Sequence, residues 1–317
     1  MKLADAYFPY SFPAELADCA CCPRSCHVDR TLGPRGYCKS DAFPGVSSIC
    51  LHRGEEPVIG GEAGICNVFF GRCNIQCVYC QNCQISSRSE AIYIEYQSIG
   101  SIVSAISGLL DEGCTAVGFV SPSHMVPQML AIIKALNDSG RKPVIVYNSN
   151  GYDSVETLKR LEGIVDVYLP DLKYMDTRLA LDYSDAGNYV SAARMALKEM
   201  LRQKGTALIT DDSGQALSGL IIRHLVLPGN IENSMNVLRF IAEELSQGVH
   251  ISLMSQYTPM PAVSHHPHLG RALSESEYRI VVDEMETLGL YKGWIQELGS
   301  SGSYLPDFCF DHPFERY

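Results

Sequence analysis

Cys73, Cys77 and Cys80 stand in the spacing C-x3-C-x2-C within Cys73-Asn74-Ile75-Gln76-Cys77-Val78-Tyr79-Cys80. Three thiolates on so short a loop can each take one iron of a [4Fe-4S] cubane, leaving the fourth iron open to a ligand from outside the chain. This spacing is far more specific than a lone C-x-x-C. Two other readings stay open. Zinc wants four tetrahedral donors, and Cys83 offers a fourth thiol. If Cys83 instead took the fourth iron, the site would be a closed Fe–S centre for electron transfer or sensing, although ferredoxin-type spacing differs.

A second thiol set lies upstream. Cys19, Cys22, Cys26 and Cys38 fall within twenty residues, with Cys21 as an extra. The stretch is too irregular to build its own core, so a metal is expected to supply folding energy. Zinc and an auxiliary Fe–S cluster both fit four thiolates. Cys50, Cys66 and His52 are further candidate donors, whereas His27 is expected to be exposed. His265, His266 and His268 sit in a Pro-flanked stretch and read as a polar loop over the mouth of a site.

The chain has 317 residues, 13 of them cysteine. The cysteines cluster instead of spreading as buried structural thiols would. Residues 1–18 lack the basic start and apolar run of a secretory signal, so the thiols are read as metal ligands in a reducing, cytoplasmic setting. No stretch approaches the ~18 consecutive apolar residues of a membrane span. The formal net charge is −11, with the basic residues scattered. That argues against a nucleic-acid partner, whose binding rests on phosphate neutralisation.

The elements that must position these groups can be read from periodicity. Residues 1–62 are rich in Cys, Pro and Gly and read as a metal-binding N-terminal extension. Residues 63–317 read as one α/β domain. Apolar strand-like runs occur at Cys66–Phe70, Ala116–Val120, Pro143–Tyr147, Val165–Leu169, Leu220–Leu227 and His250–Met254. They alternate with helical stretches near 98–111, 126–138, 154–161, 190–203, 233–246 and 275–288. Six strand–helix units in succession predict a parallel sheet, either doubly wound or an incomplete barrel. In both, polar residues at the carboxyl ends of strands surround the reaction site. Those ends include Ser121-Pro122-Ser123-His124, Asn148-Ser149-Asn150, Asp171-Leu172-Lys173 and Gln256-Tyr257-Thr258. Asp211-Asp212-Ser213-Gly214 reads as a surface turn.

The segment from Phe69 to Asn82 resembles the radical S-adenosylmethionine superfamily, and within it the activating enzymes of pyruvate formate-lyase and their relatives. The resemblance continues through Ser121–Gln128, Tyr168–Tyr174, Arg223–Gly229, Ser255–Met260 and Ser303–Phe308, nearly the whole chain. It implies a partial (β/α)6 TIM-like barrel. Cys73, Cys77 and Cys80 match its cluster ligands, and S-adenosylmethionine would chelate the open iron. Reductive cleavage would give a 5′-deoxyadenosyl radical that takes hydrogen from a substrate.

The resemblance carries over several further positions. Tyr79 matches the aromatic residue near the adenine. Asp171 and Lys173 match an Asp-x-Lys of the cofactor region, and Val226 matches the strand segment lining the adenine side. The activating enzymes have a Gly-Gly-Glu after the second strand, where this chain has Ser121-Pro122-Ser123-His124. Ser121, Ser123 or Asn148 would then receive the cofactor's ammonium. The implied partners are an electron donor such as flavodoxin or ferredoxin and a substrate. That substrate is a protein glycine of a glycyl-radical enzyme, a peptide or a small molecule.

Overall fold

The computed structural model describes residues 14–88, 94–299 and 305–314. Ser303 and Tyr304 of the last motif, and the first thirteen residues of the extension, lie outside the described residues. The strands are β1 (Gly45–His52), β2 (Ile65–Phe70), β3 (Glu95–Tyr96), β4 (Ala116–Val120), β5 (Val144–Asn148), β6 (Val167–Tyr168), β7 (Ile209–Thr210), β8 (Ala216–Leu225), β9 (His250–Met254) and β10 (Gly293–Ile295). The helices are α1 (Cys83–Ser86), α2 (Ile99–Asp111), α3 (Val126–Asp138), α4 (Val155–Arg160), α5 (Thr177–Ser184), α6 (Tyr189–Lys204), α7 (Ile231–Phe240) and α8 (Glu275–Thr287).

Strands β2, β4, β5, β6, β8, β9 and β10 pair side by side in that order, every pair parallel. A doubly wound sheet would reverse its strand order at a switch point. This order never reverses, so the sheet curls one way as a partial TIM-like barrel. β1 continues it antiparallel beyond β2, and β3 pairs with β1. Among the described residues the ends, β3 and β10, do not pair, so the barrel is open.

The physical causes are ordinary ones. β2 and β4 are buried at every position, as parallel strands covered on both faces must be. α3 buries Val126, Met129, Ile132, Ile133 and Leu136, an apolar stripe at helical spacing. Ser98, Ser154, Asp176 and Ser274 cap α2, α4, α5 and α8 by accepting backbone N–H groups. Ser274 and Glu277 form a full capping box. The Asp211–Gly214 turn joins β7 to β8, with Asp211 Oδ1 accepting from the backbone N–H of Ser213 and Gln215.

The structure adds six elements to the predicted set: the strands β1, β3, β7 and β10 and the helices α1 and α5. β10 is only three residues long, too short for a periodic signal. α5 follows directly on the Asp171–Lys173 strand end. β1 falls in the stretch read as a loop-rich extension, because its Ser47-Ser48 pair breaks the apolar run. Residues 45–52 are therefore part of the barrel's sheet. Among the described residues no helix is long and apolar enough to cross a membrane.

Candidate functional site

β2 delivers the first cysteine through a strained bend. Arg72 has φ 69°, a left-handed conformation that non-glycine residues avoid. Its backbone N–H donates to Ile85 O at 2.6 Å, tying the bend to α1. Ser121, at the end of β4, has φ 50°. Such outliers gather where the surrounding structure holds a functional loop in place.

The cysteine loop forms one wall of a cavity of about 480 Å3, within the size range of small-molecule sites. Its lining includes Cys73, Cys77, Cys80, Tyr79, Ser121, Asn148, Asp171 and Lys173. Ser123 and Val226 are buried but do not line it; Ser149, Leu225 and Met254 do. Cys83 is exposed at the start of α1 and lies outside the lining.

Each of the three sulfurs sits beside a hydroxyl or amide of its own. Asn150 Nδ2 donates to Cys73 Sγ at 3.4 Å, and Ser184 Oγ donates to Cys77 Sγ at 3.0 Å. Ser86 Oγ lies 3.2 Å from Cys80 Sγ. Burial pushes the Cys73 thiol up to about 12, the Cys80 thiol up to about 11, and the Cys77 thiol above its ordinary value. Bare thiolates are costly in this place, and a metal that replaces their protons removes that cost. Three thiols with polar partners, facing one cavity, suit a cluster with one open iron. Among the described residues no three Cys, His, Asp or Glu side chains converge on a single-ion position. A cubane does not need such convergence, since each thiolate binds a different iron.

Tyr79 belongs to a buried polar chain. Its hydroxyl lies 2.6 Å from Tyr174 Oη, which lies 2.7 Å from Ser184 Oγ. Because Ser184 gives its proton to Cys77, it accepts from Tyr174, and Tyr174 accepts from Tyr79.

Beside the cysteines stands a charged network that sequence reasoning found only in part. Asp171 Oδ2 accepts from Lys173 Nζ at 2.7 Å, and Asp171 Oδ1 accepts from Arg223 Nε at 2.8 Å. Arg223 also reaches Asn148 Oδ1 at 2.6 Å and Glu55 Oε2 at 3.3 Å. Burial opposes the Asp171 charge, but Arg223 and Lys173 outweigh it and hold the carboxyl below its usual range. Burial opposes the Lys173 charge too, and Asp171 and Cys77 hold that ammonium above its usual value. Glu56 is buried in the same lining, and its Oε2 makes no hydrogen bond. Burial pushes its carboxyl up.

Arg223, Glu55 and Glu56 were the site residues missed. Arg223 had a signal: it is the cation inside the apolar run Leu220–Leu227. A buried strand tolerates a charge only where partners await it. Glu55 and Glu56 sit between β1 and β2, and no periodicity marks them.

The upstream cysteines gather in a separate place. Cys19, Cys21, Cys22, Cys26 and Cys38 line one small cavity together with Arg30. Cys50, Cys66 and His52 do not belong to it. Cys50 packs near Phe69 and Ile85, Cys66 N donates to Cys114 Sγ, and His52 lines the large cavity against Phe314. His27 is exposed and bonds Asp18. His266 Nδ1 accepts the N–H groups of His268 and Leu269, which shapes the loop after β9.

No protein-family model matches the chain. An uncharacterized protein of Methanocaldococcus jannaschii is 28% identical over 278 residues, covering 86% of this chain and 75% of that one. Among solved structures, the FeFe-hydrogenase maturase HydG of Carboxydothermus hydrogenoformans superposes with a TM-score of 0.52 at 14% identity, over 72% of this chain. The two share a fold. The match spans about half of the maturase, 52% of its length. A looser likeness, TM-score 0.39 at 16% identity, joins 54% of the chain to 93% of a domain of pyruvate-formate lyase-activating enzyme from Bacteroides vulgatus.

Proposed function

We propose that this protein is a radical S-adenosylmethionine enzyme. The observation that carries the reading is the meeting of Cys73, Cys77 and Cys80 with the Asp171–Lys173–Arg223–Glu55 network in one cavity at the carboxyl ends of parallel strands. When bound, a reduced [4Fe-4S] cluster and S-adenosylmethionine supply a carbon radical able to take hydrogen from an unactivated position. The chain's own residues do the rest. The three thiolates hold the cluster at the barrel mouth. Lys173 offers a fixed cation to a carboxylate. Glu55 and Glu56 bring carboxylates to the cavity where the resemblance led one to expect a Glu after the second strand. Asn148 is held by Arg223, so its amide nitrogen faces a fixed direction. The apolar wall of Tyr79, Leu225 and Met254 suits a purine and excludes water.

The position of Cys83, exposed and off the cavity wall, supports an open iron over a closed electron-transfer centre. For the substrate we propose a glycine of a protein or peptide, by the resemblance to the activating enzymes, with flavodoxin or ferredoxin as electron donor.

The test is anaerobic reconstitution with iron and sulfide, followed by dithionite and S-adenosylmethionine. 5′-Deoxyadenosine should form, the Cys77→Ala protein should form none, and Cys83→Ser should retain both iron and cleavage. A wild-type protein that binds four irons yet releases no 5′-deoxyadenosine would return the electron-transfer reading. The substrate reading is tested separately, by deuterium transfer from labelled glycine in a candidate protein to 5′-deoxyadenosine.

A further inference from the structure

The extension holds five thiols that the chemistry at the barrel mouth does not use. Cys19, Cys21, Cys22 and Cys38 are buried and Cys26 is half-buried, yet residues 17–44 contain no strand and only one short 3-10 turn, Arg30–Leu32. Leu32, one of the few large apolar residues there, is 67% exposed. Apolar packing therefore does not explain why this segment is ordered.

The backbone draws the thiols together by tight turns. Cys19 N donates to Val28 O at 3.0 Å and His27 N to Cys19 O at 2.9 Å, a closed pair that sets Cys19 beside Cys26. Ser25 N closes a turn on Cys22 O. Ser25, His27 and Lys39 all have positive φ, so left-handed residues flank Cys26 on both sides and follow Cys38. Tyr37 N–H donates to Cys26 Sγ at 3.4 Å, as backbone amides do towards thiolate ligands. Cys19 Sγ and Cys21 Sγ are 3.6 Å apart. Zinc–sulfur bonds of ~2.3 Å arranged tetrahedrally place sulfurs ~3.8 Å apart, so this pair already stands close to one edge of a zinc tetrahedron. Among the described residues no three donors converge on a single point. The space among them is about 10 Å3, enough to admit one ion.

Arg30 supplies an independent observation. It is 1% exposed, and no ion pair with a carboxylate is formed by it among the described residues. Its Nε and Nη2 donate to Asp41 O at 3.0 and 2.7 Å, and its Nη1 donates to His124 O at 2.7 Å. The same Nη1 lies 3.8 Å from Cys19 Sγ and 3.9 Å from Cys21 Sγ. Carbonyls satisfy its hydrogen bonds but, among the described residues, leave a buried positive charge without a counter-ion, which is expensive. Zinc with four thiolates carries a net double negative charge. Such a centre would supply the countercharge that this guanidinium lacks among the described residues.

We propose that the five-cysteine cage binds one structural Zn2+ through four of its thiolates, with Arg30 as the buried counter-cation. The site clamps the extension onto the barrel. Cys21 O accepts from Thr157 Oγ1 of α4 at 2.9 Å, and Arg24 Nε donates at 2.9 Å to the carbonyl of Asn74, inside the cysteine loop at the barrel mouth. Zinc in the cage therefore holds the backbone next to Cys73.

The experiment measures metals in the full chain purified without oxygen. Wild type should carry about one zinc per chain, and the Cys73→Ala/Cys77→Ala/Cys80→Ala protein should keep it. Zinc should be lost from Cys22→Ser/Cys26→Ser. Because that variant could fail to fold, Arg30→Gln, which keeps every thiol, is the second arm. Its zinc should pass to a colorimetric chelator about tenfold faster than in wild type, and Arg30→Lys should recover part of the difference. A wild-type chain without zinc, or iron in its place that follows the extension's cysteines, overturns the proposal. An unchanged rate in Arg30→Gln overturns the role of Arg30.

Discussion

Arg223 Nε lies 2.8 Å from Asp171 Oδ1, across the junction of β6 and β8 where their two residues form an isolated parallel bridge. The guanidinium faces Asp171 on one side and Glu55 on the other, so one buried cation compensates two carboxylates. Arg223→Met fills the same space without charge. It should destabilise the fold by about 3 kcal/mol or more, the usual cost of stranding buried charges. Urea unfolding of the two proteins measures this, and a loss under ~1 kcal/mol would contradict the network as described.

Ser184 donates to Cys77 Sγ and accepts from Tyr174. Hydrogen bonds to ligand sulfurs raise a cluster's reduction potential, because they stabilise the more negative reduced state. Ser184→Ala should therefore keep the iron content and shift the midpoint potential downward. A redox titration followed by EPR reads both. An unchanged potential would mean the hydroxyl does not touch the ligand.

His224 is buried with both ring nitrogens engaged, at 2.7 Å from Leu172 O and 2.9 Å from Ser234 Oγ. Burial lowers its pKa to about 4, against about 6.5 when unfolded. The unfolded chain then binds a proton between these values that the folded chain refuses. Stability from this group is complete above about pH 6.5 and falls as pH drops towards 4, by ~3 kcal/mol in all. Replacing the ring by an amide in His224→Gln should flatten that part of the stability–pH curve, although the variant is less stable at pH 7. Parallel curves for the two proteins would refute the assignment.

Gly151 has φ +76°, and a Cβ there would stand 2.3 Å from Asp171 O. No flexible side chain can give way, because the obstacle is backbone. Gly151→Ala should cost more than ~2 kcal/mol and displace the Asp171–Lys173 turn, since strain and overlap add. Thermal unfolding gives the first effect. Weaker cofactor binding by calorimetry gives the second.

Much of this site is legible in the primary structure, and the reason differs from group to group. The cysteine loop is legible because three thiols that face one cavity from one short loop must be near in sequence. The six parallel strands are legible because burial on both faces forces continuous apolar runs, as in Val144–Asn148. The charged network is only half legible. Asp171 and Lys173 share one turn, but Arg223 reaches them across the sheet and Glu55 comes from 116 residues upstream of Asp171. Pairings at that separation leave no local trace. Ser123 and Ser121 are two residues apart, yet only Ser121 lines the cavity. The left-handed turn at Ser121 sends the chain into a 3-10 turn that buries Ser123 elsewhere, and no spacing rule reports such a bend.

β1 occupies the flank of β2, pairing from Val46 opposite Phe70 to His52 opposite Ile65. A fragment begun at residue 63 would thus lose more than a covering. It would present the bare edge of Ile-Cys-Asn-Val-Phe-Phe, six buried residues with no charge among them. An uncharged apolar edge of this kind is a template for strand addition by other chains. Such a fragment would self-associate when expressed alone. In the whole chain β1 covers that edge, so it is closed to strand addition.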